Sequence, residues 1–449
     1  METKNGKASK PVTEKRLRFY IETYGCQMNE YDSELVRSIL LESGFGEAFD
    51  PDLADAILLN TCSVRETAHN RVFGRLQSLD RLRAKSEKVV VGVLGCMAQS
   101  LKMELLENSI YVDLIAGPDS YRSLPSLIKG TLEGSGKMSA IDLSEFETYD
   151  DIYPSRLEGV NAWIAVMRGC DNFCTFCIVP YARGRERSRS VESIVEETRK
   201  LADEGYTQVT LLGQNVNSYS HDGRSFADLM NAVSKVVGLK RIRFISPHPK
   251  DFPDDLIDCV ASNTRVCKHI HLPLQAGSDR ILEMMNRDYT AEDYIRLVGK
   301  LRDGIADIIL TTDIILGFPT ETRKEYEDTV KLVEEVRFDS AFIFKYSERK
   351  GTVAARRWKD DVPPEEKKYR ITRLNEIQKG ISLELNRRFI ERVMEILVEG
   401  PSKRNPDEWS GRTDGNKMVI FPRSHQKSGD YIKVKITGAT ANTLKGDIV

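Results

Sequence analysis

The chain has 449 residues and a formal net charge of −2, which allows two or three domains with cores of their own. No apolar run reaches the roughly 20 residues that a membrane-spanning helix needs. The opening residues, METKNGKASKPVTEK, lack the apolar stretch of a secretory signal, so the expected compartment is the cytoplasm, with no membrane.

Residues 1–15 read as a disordered arm. Strand-like runs then end near a cysteine three times: RFYIETYGC (18–26), ADAILLNTC (54–62) and KVVVGVLGC (88–96). Helical patterns follow the first two, at 29–44 and around 65–85. Strand–helix alternation predicts a parallel, helix-covered sheet over 16–133. Ligands of such sheets bind outside the carboxyl ends of the strands, where Cys26, Cys62 and Cys96 all fall. Residues 134–155, with the acidic DLSEFETYDDIY, read as a linker.

A second β/α series occupies 156–386. Its candidate strands are 162–167, 208–213, 241–246, 267–272, 309–316 and 340–346. Six units predict a partial parallel (β/α)6 barrel with its site at the carboxyl ends of the strands. Beyond 387, short alternating runs separated by Gly and polar turns predict a small antiparallel β-barrel. The fold class is thus α/β, closed by an all-β module. That module carries twelve Lys/Arg against eight Asp/Glu, a basic balance on an acidic body that suits an anionic partner.

The sharpest motif is Cys170-Asp-Asn-Phe-Cys174-Thr-Phe-Cys177, just after a strand. Thiolates hold iron–sulfur clusters. Three ligands on a four-iron cluster leave one iron open to chelate a cofactor such as S-adenosylmethionine. A structural zinc knot normally takes four ligands, and no fourth Cys or His lies nearby. Cys26, Cys62 and Cys96 are candidates for a second three-ligand set, against the alternative of small packed residues. Cys259 and Cys267 have no such spacing and read as packing residues.

These motifs carry a resemblance. TYGCQMNEYDSE, NTCSVRETA, GCMAQ, GCDNFCTFCIVPYARGRERSR, HLPLQAGSDRIL, TDIILGFPTET and KYSERKGT resemble the radical S-adenosylmethionine methylthiotransferase family over almost the whole chain. The terminal module resembles the RNA-binding TRAM domain. Gln27-Met28-Asn29 after the first cysteine is similar to the branch acting on N(6)-dimethylallyladenosine of tRNA, rather than to the ribosomal-protein branch. Ala276, Glu348 and Lys350 depart from the usual pattern without touching a proposed ligand. The resemblance implies two [4Fe-4S] clusters, held by Cys170, Cys174 and Cys177 (radical) and by Cys26, Cys62 and Cys96 (auxiliary). It implies two S-adenosylmethionine per turnover: one donates a methyl group to sulfur, the other yields a 5′-deoxyadenosyl radical that opens carbon 2 of the adenine. No acid–base residue is required. The implied partners are the tRNA anticodon loop and an electron donor such as a flavodoxin or ferredoxin. The chain is expected to be a monomer.

Phe176, Gln214, Asn215, Ser246 and Gly317 are candidate cofactor contacts, Gly317 because it permits close backbone approach to a ligand. Arg183, Arg185, Arg187 and Arg189 are candidates to clamp RNA phosphate or a cofactor carboxylate, and Lys403, Arg404, Arg412, Lys417 and Arg423 of the terminal module are candidates to track RNA phosphate. His269 and His271 share one strand face and read as satisfied core histidines. Other readings stay open: the same chemistry on threonylcarbamoyladenosine or a ribosomal-protein aspartate, a non-catalytic iron–sulfur RNA sensor, or a zinc-stabilised RNA-binding protein.

Overall fold

The computed structural model describes residues 16–63, 66–83, 89–107, 111–156 and 159–449, and the expected arm lies outside the described residues. The first layer pattern runs β1 (Arg18–Tyr24), α1 (Gln27–Glu42), β2 (Gly46–Glu47), β3 (Ala56–Thr61), α2 (Glu66–Arg83), β4 (Val90–Gly95), α3 (Cys96–Leu101), α4 (Met103–Glu107), β5 (Leu114–Ala116), α5 (Leu124–Leu132) and β6 (Met138–Ala140). All pairs are parallel, in the order β2-β1-β3-β4-β5-β6. Every residue of β3 and β4 is buried, because helices cover both sheet faces. Leu58 and Leu94 pack under α1 and α5, while Ile57, Leu59, Val91 and Val93 pack under α2 and α3.

The linker expected from 134 starts too early. Met138–Ala140 pairs with β5 as an edge strand, and its partly exposed Met-Ser-Ala carries no period to reveal it. Tyr149 and Ile152 are buried in the same core, so 141–155 is a strap rather than a loose connection.

The central unit runs β7 (Asn161–Ala165), β8 (Met167–Arg168), α6 (Val179–Arg183), β9 (Arg187–Ser188), α7 (Val191–Asp203), β10 (Gln208–Leu212), β11 (Ser220–His221), β12 (Arg224–Ser225), α8 (Phe226–Val233), β13 (Arg241–Phe244), α9 (Asp254–Ser262), β14 (His269–His271), α10 (Asp279–Met284), α11 (Ala291–Gly304), β15 (Ile309–Leu316), α12 (Arg323–Val336), β16 (Ser340–Lys345), α13 (Val353–Arg357) and α14 (Pro364–Arg387). Strands β7, β10 and β13 form one parallel sheet, and β14, β15 and β16 another. The parallel bridge Ile242–Val266 joins them. The result is the expected open barrel of six strands. Ile164, Leu211, Ile242, Ile270, Leu310 and Ile314 point outward into the helix layer. Alternate residues, including His271, Thr311 and Asp313, therefore face the lumen.

The last unit is a closed barrel of β17 (Val393–Pro401), β18 (Glu408–Arg412), β19 (Met418–Pro422), β20 (Tyr431–Ala439) and β21 (Leu444–Ile448), ordered β17-β18-β19-β21-β20. Its pairs are antiparallel as expected, except β19 with β21, which is parallel. Arg241 donates to Arg412 O (2.9 Å), Arg243 to Thr413 O (2.7 Å) and the Lys268 N–H to Asp414 (2.9 Å). The hairpin thus seals the amino-terminal end of the open barrel. No helix among the described residues is long and apolar enough to cross a membrane.

Candidate active site

Three neighbouring strands of the first sheet end in register. Tyr24 lies opposite Thr61, and Thr61 opposite Gly95. Cys62 and Cys96 come next, and Cys26 one residue after Gly25, so strands about 4.8 Å apart bring all three to one sheet edge. Two buried amides sit beneath them. The Asn29 amide donates to Asn60 Oδ1 (3.1 Å), and Asn60 donates to Asn29 O (3.0 Å) and Ser33 Oγ (2.9 Å). The Cys26 thiol and N–H both face Asn29 Oδ1, at 3.4 and 3.3 Å. Glycine precedes two of the cysteines because these amides come so close. A Cβ on Gly25 would lie 2.3 Å from Asn29 Oδ1, and one on Gly95, at φ +82°, 2.5 Å from Asn60 Oδ1. The Cys62 thiol hydrogen-bonds Cys26 and holds it down at about 6, with the Arg183 charge assisting against burial. Burial pushes Cys96 up.

The other three cysteines lie on the loop between β8 and α6. Gly169, at φ +79°, opens it, and a Cβ there would fall 1.8 Å from Arg185 O. The Gly169 N–H donates to Gln214 Oε1 (2.5 Å) and the Cys170 N–H to Gly184 O (3.1 Å). Thr175 is tied at three atoms: its hydroxyl donates to Met284 O (2.7 Å), its N–H to Met285 O (3.0 Å), and its carbonyl accepts from Ala354 N–H (2.8 Å). Buried Arg287 donates to Cys174 Sγ at 3.3 Å. Burial pushes Cys170 and Cys177 up to about 12. Metal binding must therefore displace protons here. All these cysteines are free thiols.

The donor chemistry of both sets fits iron–sulfur ligation. Each offers three soft thiols, and each has a guanidinium beside it, Arg183 or Arg287, that lowers the cost of gathering thiolate charge. Among the described residues, no three His, Cys, Asp or Glu side chains close tightly enough around one point to hold a single metal ion.

Charge joins the two sites across the interface between the first sheet and the barrel. Asp32, on α1, is fully buried and accepts from Arg168 and from Arg183, each at 2.7 Å. Burial raises its carboxyl, but the two guanidiniums outweigh that and hold it low. Arg168 stands two residues before Cys170, and its guanidinium covers the Tyr149 ring at 4.7 Å. Arg187 pairs with Asp119 (2.9 Å), and Arg189 with Glu197 (2.6 Å) and Asp150 (3.0 Å). Arg183, Arg187 and Arg189 are therefore buried interface struts and not the phosphate clamp expected of them. Their partners Asp32, Asp119 and Asp150 come from distant segments of the chain. Arg185 alone is exposed, stacked over Phe173 and paired with Asp171.

The other predicted residues divide. Gln214 braces the cysteine loop. Asn215, at the carboxyl end of β10, donates to Asp251 (2.9 Å) and keeps a buried Oδ1 without a partner among the described residues. Ser246 takes φ +63° after β13, and its carbonyl accepts from Val216 N–H. Phe176 packs against the apolar cluster of Ala276, Phe318 and Tyr346. Gly317 departs from expectation: its close neighbour is the Lys367 side chain, 2.5 Å from where a Cβ would stand, and not ligand space. His269 and His271 both share Thr311 Oγ1. In the terminal barrel, Lys403, Arg404 and Arg423 are exposed. Lys417 is not; it pairs with Asp339 (2.8 Å) and holds the barrel to the core. Arg412 pairs with Glu399.

Sequence reasoning missed Asp32, Arg168, Arg287, His248 and Gln275. His248 Nε2 and Gln275 Oε1 are buried without partners among the described residues, and burial drives His248 down to about 2, leaving a neutral ring. One signal was available. Asp32 interrupts the apolar stripe of Met28, Tyr31, Leu35 and Val36 on α1, and a carboxylate there demands a buried cation.

The Radical SAM superfamily model matches residues 164–333, the TRAM domain model 387–449, and the Uncharacterized protein family UPF0004 model 18–117. A tRNA-2-methylthio-N(6)-dimethylallyladenosine synthase of Chloroherpeton thalassium is 49% identical over 96% of this chain and 96% of its own. The chain belongs to the radical S-adenosylmethionine methylthiotransferase family. Other methylthiotransferase relatives include synthases of the same name from Porphyromonas gingivalis W83 (48% identical, 99% and 98% covered) and Bacteroides fragilis YCH46 (45%, 96% and 96%). Among solved structures, the radical S-adenosylmethionine methyltransferase TsrM of Kitasatospora setae, with cobalamin and a [4Fe-4S] cluster bound, superposes with a TM-score of 0.58 at 15% identity. It covers 76% of this chain and 77% of its own, a likeness of fold alone.

Proposed function

We propose that this methylthiotransferase converts N(6)-dimethylallyladenosine beside the tRNA anticodon to its 2-methylthio derivative. The observation that carries the reading is the pairing of two three-thiol sites through one buried carboxylate, Asp32, on a chain 49% identical to a synthase of that name. Cys170, Cys174 and Cys177 are assigned to the radical cluster, and Cys26, Cys62 and Cys96 to the auxiliary one. Bound there, the clusters and S-adenosylmethionine supply the radical, the sulfur and the methyl group, chemistry that belongs to cofactors.

The chain's own residues position. Gly169, Gln214 and Thr175 fix the loop that presents Cys170, Cys174 and Cys177. Arg287 donates to Cys174 Sγ and holds that side chain in place. Asn29 and Asn60 tie the first turn of α1 to the end of β3 beside the three cysteines. Asn215 Oδ1, Ser246, His248 and Gln275 lie at or just beyond the carboxyl ends of their strands, where open barrels bind ligand. They are the proposed contacts for the polar groups of S-adenosylmethionine, with Phe176 packed beside the loop. His269 and His271 are engaged with Thr311, so no acid–base role is assigned to them.

The substrate must be long. The terminal barrel seals the amino end of the central strands, and the cysteine loop lies at the carboxyl end. Eight residues of β15 span about 26 Å. An RNA stem–loop bridges that length, and its unpaired bases splay for recognition. Lys403, Arg404, Arg423 and Arg185 are proposed to meet phosphate. We further propose a cytoplasmic monomer, reduced by a flavodoxin or ferredoxin. The test is anaerobic turnover of reconstituted enzyme with reductant, S-adenosylmethionine and dimethylallyladenosine-bearing tRNA, read by nucleoside mass spectrometry. The 2-methylthio nucleoside is expected. 5′-Deoxyadenosine without it would refute the substrate, and neither product from cluster-filled enzyme would refute the enzyme.

A further inference from the structure

Arg183 belongs by sequence to the central barrel, six residues beyond Cys177, yet its side chain serves the other cysteine set. It ends α6, and α6 packs on α3, whose first residue is Cys96. The guanidinium is 3% exposed. Nη2 donates to Asp32 Oδ2 at 2.7 Å. Nη1 is buried with no partner among the described residues. The Arg183 charge works against burial to lower both the Cys96 and the Cys26 thiols. An ion pair with Asp32 accounts for Nη2. It does not account for a free N–H buried beside the cysteines, since such a donor is costly unless something accepts from it.

We infer that Arg183 is a positioning residue for the auxiliary site, its Nη1 donating to a sulfur held by Cys26, Cys62 and Cys96. The inference rests on the reading above that these cysteines carry an iron–sulfur cluster. Asp32 acts through it, since a carboxylate gripped by Arg168 and Arg183 together fixes the plane of the guanidinium fork. Donors to cluster sulfurs, and positive charge nearby, stabilise the reduced form and raise its potential. The same strut reaches Arg168, two residues from Cys170. It ties the orientation of the auxiliary site to the loop of the radical site.

The test is an EPR-monitored redox titration of the full-length enzyme with both clusters reconstituted, comparing wild type, Arg183→Gln and Arg183→Lys. Arg183→Gln is expected to shift the auxiliary midpoint to more negative potential and leave the radical midpoint in place. Arg183→Lys, which keeps the charge, is expected to recover most of the shift. An unmoved auxiliary midpoint in Arg183→Gln, or equal movement of both midpoints, would overturn the inference. If Arg183→Gln fails to hold the auxiliary iron, Arg183→Lys decides: restored iron and midpoint support the charged donor, and continued loss assigns Arg183 to structure alone. Cys26→Ala separates the two claims. If it costs no iron, the underlying cluster reading fails; if it costs the auxiliary iron and Arg183→Gln shifts nothing, only the present inference fails.

Discussion

Replacing Asp32 by Asn tests whether one carboxylate holds the two cysteine-bearing units together. Asp32 is 0% exposed and accepts from two guanidiniums at 2.7 Å, themselves 1% and 3% exposed. The neutral amide leaves both cations buried without a counter-charge. Breaking a buried pair in this way costs about 3–5 kcal/mol. The Tyr149 ring under Arg168 offsets none of this loss, because that contact exists already in the wild type. At about 2–4 °C per kcal/mol for a domain of this size, the apoprotein transition should fall by roughly 6–20 °C. The assay is a thermal melt of cluster-free protein followed by tryptophan fluorescence, since Trp163 packs against the core of the first sheet. Apolar replacement of Asp32 together with both arginines should recover much of the loss. An Asp32→Asn transition within 2 °C of wild type, close to the about 0.5 kcal/mol scale of an ordinary surface change, would refute the strut.

Gly169→Ala should break the cysteine loop, because a Cβ would sit 1.8 Å from Arg185 O at a φ of +79°; reconstituted protein should lose about half its iron, and full iron content would contradict this. Burial raises Glu34 to about 7, with Arg156 opposing. A carboxyl raised on folding contributes stability below its unfolded value of about 4.5, lost as pH rises toward 7. Glu34→Gln should accordingly gain about 1–3 kcal/mol at pH 8 and little at pH 5, read from denaturant midpoints at both. Replacing Lys403, Arg404 and Arg423 with Ala should lower the slope of log K against log salt for RNA binding by about 2. Lys417→Ala, which breaks the contact with Asp339, should loosen the terminal barrel to protease instead and leave that slope unchanged.

The sequence made the cysteine geometry legible because strand ends are local. A strand followed by Gly-Cys or Thr-Cys sets each thiol at a sheet edge, and parallel order brings the edges together. The six central strands were legible from β-runs separated by amphipathic helices, and the terminal barrel from its turns. The arginine run was misjudged for a non-local reason. Nothing in RGRERSR states that Asp32, Asp119 and Asp150 come from segments tens of residues upstream to neutralise it. Lys417 is similar, since its partner Asp339 belongs to the central unit. β6 was invisible because three residues at an edge show no period. Arg287 has no motif of its own, and only the fold brings it to Cys174.

The central claim is that the two cysteine sets do different work on one substrate, and product partition in single-cysteine variants tests it most directly. Cys26→Ala and Cys170→Ala are each reconstituted anaerobically and given reductant, S-adenosylmethionine and dimethylallyladenosine-bearing tRNA, and both 5′-deoxyadenosine and the 2-methylthio nucleoside are quantified. The account predicts that Cys26→Ala still forms 5′-deoxyadenosine but no methylthio nucleoside, and that Cys170→Ala forms neither. Methylthio nucleoside from Cys26→Ala at a rate near wild type would contradict it.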